Sequence, residues 1–180
     1  MKTLYIERST GECRSGNWVE KLDLDPKPDR LVVGTGPGSF AGIRAAIAFA
    51  QGYRIGSGCE VLGLPSPCAV IGALGAPGEV TVVGDARQGK IWLAAFEGWT
   101  LLGGVRQVEA TDLFAAVSPT AAVVTPDEPR LGARLSELFG LRYRGGQMPT
   151  AEGLRAFAEH APELLKPEPL PLYLSPAVRS

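Results

Sequence analysis

The stretch that decides the fold is Leu31-Val-Val-Gly-Thr-Gly-Pro-Gly-Ser-Phe-Ala-Gly-Ile-Arg44. Residues 30–34 form an almost uninterrupted apolar run, which is typical of a strand buried on both faces. From residue 40 to residue 55, apolar and small side chains recur at helical spacing, so a helix is predicted there. Ser39 is its predicted N-cap and Gly56 its predicted end. A strand, a glycine-rich turn and a helix in this order predict an α/β unit.

The turn made by Gly36, Pro37, Gly38 and Ser39 is a candidate loop for an anion or a nucleotide. Glycines allow backbone conformations that other residues avoid, and a helix N-terminus presents free N–H groups to a negative charge. Asp85, at the tip of a predicted hairpin, is a candidate for binding a cation or a ligand hydroxyl. The turn matches neither GxxxxGKS/T nor GxGxxG with a downstream acid. A tight turn without a ligand, and an Asp85 that caps its own turn, therefore stay open as alternatives.

The helix after the turn has many small residues, and one of its sides is available to a partner. The side bearing Ile43 and Ile47 is expected to pack on the chain's own sheet. Small side chains on the opposite side permit close approach of a second helix. The predicted partner interface consists of six residues of this helix: Phe40, Ala41, Arg44, Ala45, Ala48 and Gln51.

Composition excludes several classes of function. The 180 residues carry 18 Lys and Arg against 19 Asp and Glu, so a dedicated nucleic-acid reader is not expected. His160 is the single histidine, which excludes a two-histidine metal site, an HExxH motif and a zinc finger. Three cysteines without CxxC spacing, and a first segment without the apolar stretch of a signal peptide, predict a cytoplasmic protein.

The rest of the chain predicts two mixed sheets with packed helices. Beyond the two elements above, strands are predicted at residues 4–6, 13–19, 61–64, 79–83, 90–96, 100–108 and 121–125, and helices at 66–74, 110–117, 130–139 and 151–160, the last capped by Thr150. The first two strands are expected to pair antiparallel, and the three strands from residue 79 to residue 108 to form a meander. The expected units are an N-terminal lobe (1–77), a C-terminal lobe (78–162) and an extended tail (163–180) docked on the surface.

Three segments, in this order, resemble a known family. They are the stretch from Leu31 to Arg44 followed by Ala50-Gln-Gly52, then Val83-Gly-Asp-Ala-Arg-Gln-Gly-Lys-Ile-Trp92, then Pro171-Leu-Tyr-Leu174. They are similar to the signatures of the bacterial TsaB (YeaZ) family, GxGPGSFTGxRxG with AKG or AQG, an apolar Asp-Ala-Arg segment, and PxYL. The resemblance implies an α/β fold of the two-lobed actin, sugar-kinase and Hsp70 (ASKHA) type, with duplicated mixed sheets.

The same resemblance implies a function without catalysis. Members of the family are scaffold or dimerisation subunits of the complex that makes threonylcarbamoyladenosine in tRNA next to the anticodon. The implied partners are a TsaD-like catalytic subunit and a TsaE-like ATPase, with a homodimer in their absence, contact with tRNA only through the complex, and no membrane. No catalytic residue, metal or required cofactor is implied, although weak binding of ATP or ADP with magnesium at a partner interface is compatible with it.

The sequence also departs from the family in three places. Glu7-Arg8-Ser9 stands where members have Asp-Thr-Ser or Asp-Thr-Ala, residues 22–29 are too short for the long helix found there, and Ala41 replaces a threonine. Two alternatives therefore stay open. One is a small ATPase or phosphotransferase of the same fold that uses the turn and Asp85. The other is a glycoprotease-like peptidase, which is disfavoured because the chain shows no Ser-His or Cys-His pair.

Overall fold

The computed structural model describes residues 1–10 and 18–174, which form nine strands and five α-helices. In chain order these are β1 (Thr3–Ile6), β2 (Arg30–Gly34), α1 (Phe40–Ser57), β3 (Glu60–Leu64), α2 (Ser66–Leu74), β4 (Glu79–Arg87), β5 (Lys90–Glu97), β6 (Thr100–Glu109), α3 (Leu113–Ala116), β7 (Ala122–Thr125), α4 (Glu128–Phe139), β8 (Tyr143–Gly146), α5 (Ala151–His160) and β9 (Lys166–Pro167). Among these residues, no helix is long and apolar enough to cross a membrane.

The first sheet has the strand order β1-β2-β3-β9. Strands β1, β2 and β3 are parallel, with Val32 opposite Tyr5 on one side and opposite Leu62 on the other. β2 is therefore the central strand that its apolar run predicts. Strand β9 joins the opposite edge in the antiparallel direction. Because α1 follows β2 directly, the glycine-rich turn lies at the carboxyl end of the central strand.

The second sheet has the strand order β6-β5-β4-β7-β8. Strands β4, β5 and β6 form the predicted antiparallel meander, which is confirmed. The turn between β4 and β5 contains Arg87, Gln88 and Gly89, all with positive φ, as a tight hairpin turn requires. Strands β7 and β8 add to the other side of β4 in the parallel direction.

Helices α2 and α5 join the two sheets in one apolar core. Buried residues of both helices belong to one core cluster with buried residues of β2 and β3 and of β4, β5 and β7. The two helices meet backbone to backbone, because a Cβ atom at Gly72 would collide with the carbonyl group of Gly153. The approach is equally close from the other helix, because a Cβ atom at Gly153 of α5 would collide with the carbonyl oxygen of Ala69 in α2. Glycine at both positions thus sets how closely the helices pack.

Three predicted elements differ from the structure. Helix α1 does not end at Gly56, because its last turn is closed by Gly58 in the left-handed conformation, with φ of 71°. The helix predicted at 110–117 shrinks to the four residues of α3, since β6 continues to Glu109 and pairs there with Lys90. Strand β1 pairs in parallel with β2; of the strand predicted beside it, residues 13–17 lie outside the described part and Val19 belongs to a short 3-10 helix.

The described part of the tail is built into the first sheet. A 3-10 turn, Pro162–Leu164, leads into β9, which pairs with β3. Pro169 is buried, and a Cβ atom at Gly63 would lie 2.7 Å from the Cβ of Pro169. Further along, the N–H of Leu172 donates a 2.8 Å hydrogen bond to the carbonyl oxygen of Thr35 at the end of β2. The tail therefore runs past the glycine-rich turn towards the start of α1.

Candidate functional site

The glycine-rich turn connects β2 to α1 and has the backbone that its sequence requires. Gly36 has φ of 93° and Gly38 φ of 151°, a region that residues with a side chain rarely adopt. Ser39 caps α1, because its hydroxyl accepts a 3.3 Å hydrogen bond from the N–H of Gly42, and this predicted N-cap is confirmed. The candidate loop residues Gly36, Pro37, Gly38 and Ser39 therefore lie together at the N-terminus of an 18-residue helix.

Two amides of this turn already have partners within the chain. The N–H of Ser39 donates a 2.6 Å hydrogen bond to the carbonyl oxygen of Ser9. The N–H of Gly36 donates a 3.0 Å hydrogen bond to the hydroxyl of Ser66, and the carbonyl of Gly36 accepts from the N–H of Ser66 at 2.9 Å. Ser9 also packs so tightly on the turn that a Cβ atom at Gly38 would collide with its carbonyl oxygen. In this conformation Ser9 and Ser66 accept from two N–H groups that a loop of this kind would offer to an anion.

Glu7, directly after β1, points into the same cluster. Its Oε1 accepts a 2.7 Å hydrogen bond from the N–H of Ser9 and a 3.2 Å hydrogen bond from the hydroxyl of Ser66. Its Oε2 is buried and has no hydrogen-bond partner among the described residues. The same oxygen packs against Gly34, where a Cβ atom would collide with it. The carboxyl group is thus an internal support of the turn, with one oxygen left unsatisfied.

The electrostatics of this cluster favour the neutral form of Glu7. Burial raises the pKa of its carboxyl group above the usual value, and the hydrogen bonds from Ser9 and Ser66 oppose that shift only in part. Burial also raises the pKa of the nearby Cys68 thiol. A buried acid with a raised pKa and an unsatisfied oxygen is costly to ionise.

Asp85 lies at the end of β4, on the second sheet. Its Oδ1 accepts a 2.8 Å hydrogen bond from the N–H of Arg87, which is the geometry of an Asp that caps its own turn. Its Oδ2 lies 3.5 Å from a nitrogen of Arg87 and 3.7 Å from one of Arg130. Its own N–H donates to Asp127 at 2.9 Å. These contacts tie Asp85 to its hairpin and to the start of α4, and none of them reaches the glycine-rich turn.

The predicted partner interface lies on the outer side of α1. Phe40, Ala41, Arg44, Ala48 and Gln51 are exposed and Ala45 is half-buried, while the buried residues of the helix face the sheet. The tail crosses part of this side. The Nε2 of Gln51 donates to the carbonyl oxygen of Pro169 at 3.4 Å, and the Nε of Arg44 donates to the hydroxyl of Tyr173 at 3.1 Å.

His160, at the end of α5, makes structural contacts. Its ring stacks on the indole of Trp99 with centroids 3.9 Å apart and planes 4° from parallel. Its Nδ1 lies 2.8 Å from the carbonyl oxygen of Ala156. Residues 1–10 and 18–174 contain no group of three His, Cys, Asp or Glu side chains placed to hold a metal ion.

Three residues of the site escape prediction from the sequence. Ser9 contributes a backbone carbonyl, for which no sequence signal exists. Ser66 lies 59 residues from Glu7, and only the fold brings the two together. Tyr173 does have a signal, since it is the tyrosine of the PxYL segment, but nothing in that motif says that it contacts α1.

The fold and the turn define an α/β protein of the ASKHA type, and comparison with solved structures confirms it. The structure of YeaZ from Pseudomonas aeruginosa superposes with a TM-score of 0.71 at 21% identity, covering 97% of this chain and 100% of that one. A second crystal structure, of an uncharacterized protein with similarity to peptidase YEAZ from Pseudomonas aeruginosa, gives a TM-score of 0.65 at 21% identity, covering 84% of this chain and 79% of the other. The predicted likeness to the TsaB (YeaZ) family is confirmed.

Sequence comparison shows the family. Residues 17–147 match the sequence profile of TsaD, tRNA N6-adenosine threonylcarbamoyltransferase, and the chain belongs to this family. Uncharacterized proteins of Mycobacterium bovis and Mycobacterium tuberculosis are 36% identical over 148 residues, which is 81% of this chain. The chain spans 64% of the length of these relatives.

Proposed function

We propose that this chain is a non-catalytic scaffold subunit of the complex that makes threonylcarbamoyladenosine in tRNA next to the anticodon. Membership of the TsaD family and the YeaZ-like fold supply the context. Its partners in this proposal are a TsaD-like catalytic subunit and a TsaE-like ATPase. In their absence it forms a homodimer, and it meets tRNA only within the complex.

The observation that carries the proposal is the occupied glycine-rich turn. Two N–H groups of the turn are bonded to Ser9 and Ser66, and the acid beside it, Glu7, is buried, which raises the pKa of its carboxyl group. An enzyme of this fold that uses the turn to bind nucleotide phosphate needs those donors free and that acid ionised. The single histidine in the sequence is engaged with Trp99. These features support a role in assembly.

The outer side of α1 is the surface proposed to bind the catalytic subunit. Ala41, Ala48 and Gly52 are exposed along the helix, and such small side chains let a second helix approach closely. Ile55, at the far end of the helix, is 87% exposed. An apolar side chain so open to water is a candidate for burial in an interface.

Gel filtration with light scattering tests the proposal. The chain and the TsaD-like protein of the same organism, mixed at micromolar concentration, are expected to elute together with the mass of a complex. Ala48→Arg, which places a long charged side chain on the small-residue side, is expected to abolish co-elution. Ala133→Arg, an exposed alanine of α4, is the matched control and should leave the complex intact. Separate elution of the wild-type chain, with and without ATP, would refute the proposal.

Calorimetry separates the scaffold from an ATPase or phosphotransferase. Titration of ATP or ADP with magnesium into the isolated chain should give no heat of binding, because two N–H groups of the turn are already bonded within the chain. Micromolar binding to the isolated chain would favour the enzyme alternative.

A further inference from the structure

The exposed start of α1 carries a cluster built from two distant parts of the chain. Phe40 and Arg44 belong to the first turns of α1, whereas Tyr173 comes from the tail, 129 residues beyond Arg44. The rings of Phe40 and Tyr173 have centroids 6.0 Å apart at an angle of 46°. Phe40 is 56% exposed and Tyr173 is 54% exposed. These three residues, called the anchor cluster below, therefore present two aromatic rings that are each about half exposed, with an arginine side chain beside them.

Arg44 is held in the anchor cluster from two directions. Its guanidinium carbon lies 4.2 Å from the centroid of the Phe40 ring, which is a cation–π distance. Its Nε donates the 3.1 Å hydrogen bond to the hydroxyl of Tyr173. The two terminal nitrogens, Nη1 and Nη2, make no hydrogen bond or ion pair to the described residues. They form a parallel pair of donors that matches the two oxygens of one carboxylate.

The fold positions Tyr173 before any partner arrives. Strand β9 fixes the tail to β3, and the bond from the N–H of Leu172 to Thr35 fixes the residue just before Tyr173. Since the tail and the arginine are already ordered, binding at this cluster loses less conformational entropy than binding by a free arginine. Arginine and aromatic residues arranged in this way are also the types that dominate the energetics of interfaces.

The charge of α1 indicates the chemistry of what binds there. The helix has Arg44 and Arg54 but no Asp or Glu, so a complementary surface carries a negative charge opposite it. We propose that the anchor cluster receives one Asp or Glu side chain of the partner subunit, with Arg44 as a bidentate donor and Tyr173 as the residue that positions it. This inference rests on the proposed function, since the occupant is the TsaD-like subunit that docks on α1.

Two conservative variants test the anchor cluster by calorimetric titration with the TsaD-like subunit. Arg44→Lys keeps the charge but loses the pair of donors, and the dissociation constant is expected to rise at least about tenfold. Tyr173→Phe keeps the ring but removes the hydroxyl that accepts from Arg44, and a rise of about threefold or more is expected. The affinity of the wild-type chain itself should fall as salt is raised, since the proposed pair of Arg44 with a carboxylate is electrostatic.

Two control variants change exposed residues away from the cluster. Arg144→Lys lies in β8 of the second sheet, and Leu170→Ala lies in the same tail as Tyr173 at a position that is 74% exposed. Both should bind within about twofold of the wild-type chain, and all variants should melt at the same temperature. If Arg44→Lys or Tyr173→Phe binds with the affinity of the wild-type chain, the proposed role of the anchor cluster is wrong, while the proposed function is unaffected. If the wild-type chain forms no complex, both the proposed function and the proposed role of the anchor cluster are wrong.

Discussion

Replacing Glu7 by glutamine tests whether a buried neutral acid supports the glycine-rich turn. Glutamine has the shape of the protonated acid, and its amide oxygen keeps the acceptor role towards Ser9 and Ser66. Unlike glutamate, it cannot ionise. The comparison between the two side chains therefore isolates the free energy of ionising this site.

The sign of the effect follows from the raised pKa of Glu7. Below the pKa of an unfolded glutamate, about 4.3, the acid is protonated in both the folded and the unfolded state, so its ionisation does not affect the free energy of unfolding. As the pH rises, the unfolded chain releases the proton while the folded chain retains it, so the wild-type protein loses stability until the folded pKa is passed. The glutamine variant does not have this loss. Its advantage should therefore be near zero at pH 4 and grow towards pH 8.

The size of the effect comes from placing a charge at the Oε2 position, which has no hydrogen-bond partner, because the protonated acid and the amide both leave a neutral polar group there. Leaving one buried polar group without a partner costs about 1–3 kcal/mol, and more when the group is charged. We therefore expect the advantage of Glu7→Gln over the wild type, measured as the free energy of unfolding, to be about 1–3 kcal/mol larger at pH 8 than at pH 4. For a chain of this size, 1 kcal/mol corresponds to about 2–4 °C in the melting temperature.

Urea denaturation followed by circular dichroism, from pH 4 to pH 8, measures this difference. Glu163→Gln is the matched control, because Glu163 is exposed just beyond α5 and its substitution should change stability little at any pH. A Glu7→Gln variant that is less stable than the wild type at pH 8, or whose effect does not depend on pH, would refute the reasoning.

Three further predictions concern packing and reactivity. Gly72→Ala should lower the free energy of unfolding by about 1–3 kcal/mol, because its Cβ collides with the carbonyl group of Gly153; normal stability would show that α2 and α5 do not meet in this way. Gly52→Ala also adds a methyl group inside a helix, but nothing lies within 4 Å of the new Cβ. It should therefore raise the free energy of unfolding by about 0.5–1 kcal/mol; a lower value would mean that this side of α1 is already covered. The thiol of Cys68, buried and with a raised pKa, should resist alkylation at pH 8 in the folded chain and react once urea unfolds it; fast labelling of the native protein, located by mass spectrometry, would contradict its burial.

Local signals in the sequence predict the elements around the turn well. Three features depend only on neighbouring residues and are found where the sequence places them: the apolar run of β2, the two glycines with positive φ and the Ser39 cap. Helices α2 and α5 are also predicted with their observed bounds. In these segments the hydrophobic period, the caps and the breakers agree with one another.

Non-local contacts explain what the sequence does not predict. The parallel pairing of β1 with β2 has no local signal, since which strands meet is decided by the whole sheet, and the antiparallel partner expected at residues 13–19 lies mostly outside the described residues. The filling of the turn by Ser9 depends on a backbone carbonyl, whose position no residue type signals. The contact between Tyr173 and Arg44 joins two ends of the chain. Motifs thus reveal the candidate loop, but not that the chain itself occupies it.

The threonylcarbamoyladenosine content of tRNA, measured by mass spectrometry in cells that lack their own TsaB, tests the central claim most directly. Expression of the wild-type chain together with the TsaD-like protein of its own organism should restore the modified nucleoside. The Ala48→Arg variant, expressed at the same level, should not restore it. If tRNA stays unmodified in cells that contain the folded wild-type chain, or if Ala48→Arg restores it as well as the wild type does, the claim of a scaffold that acts through α1 is contradicted.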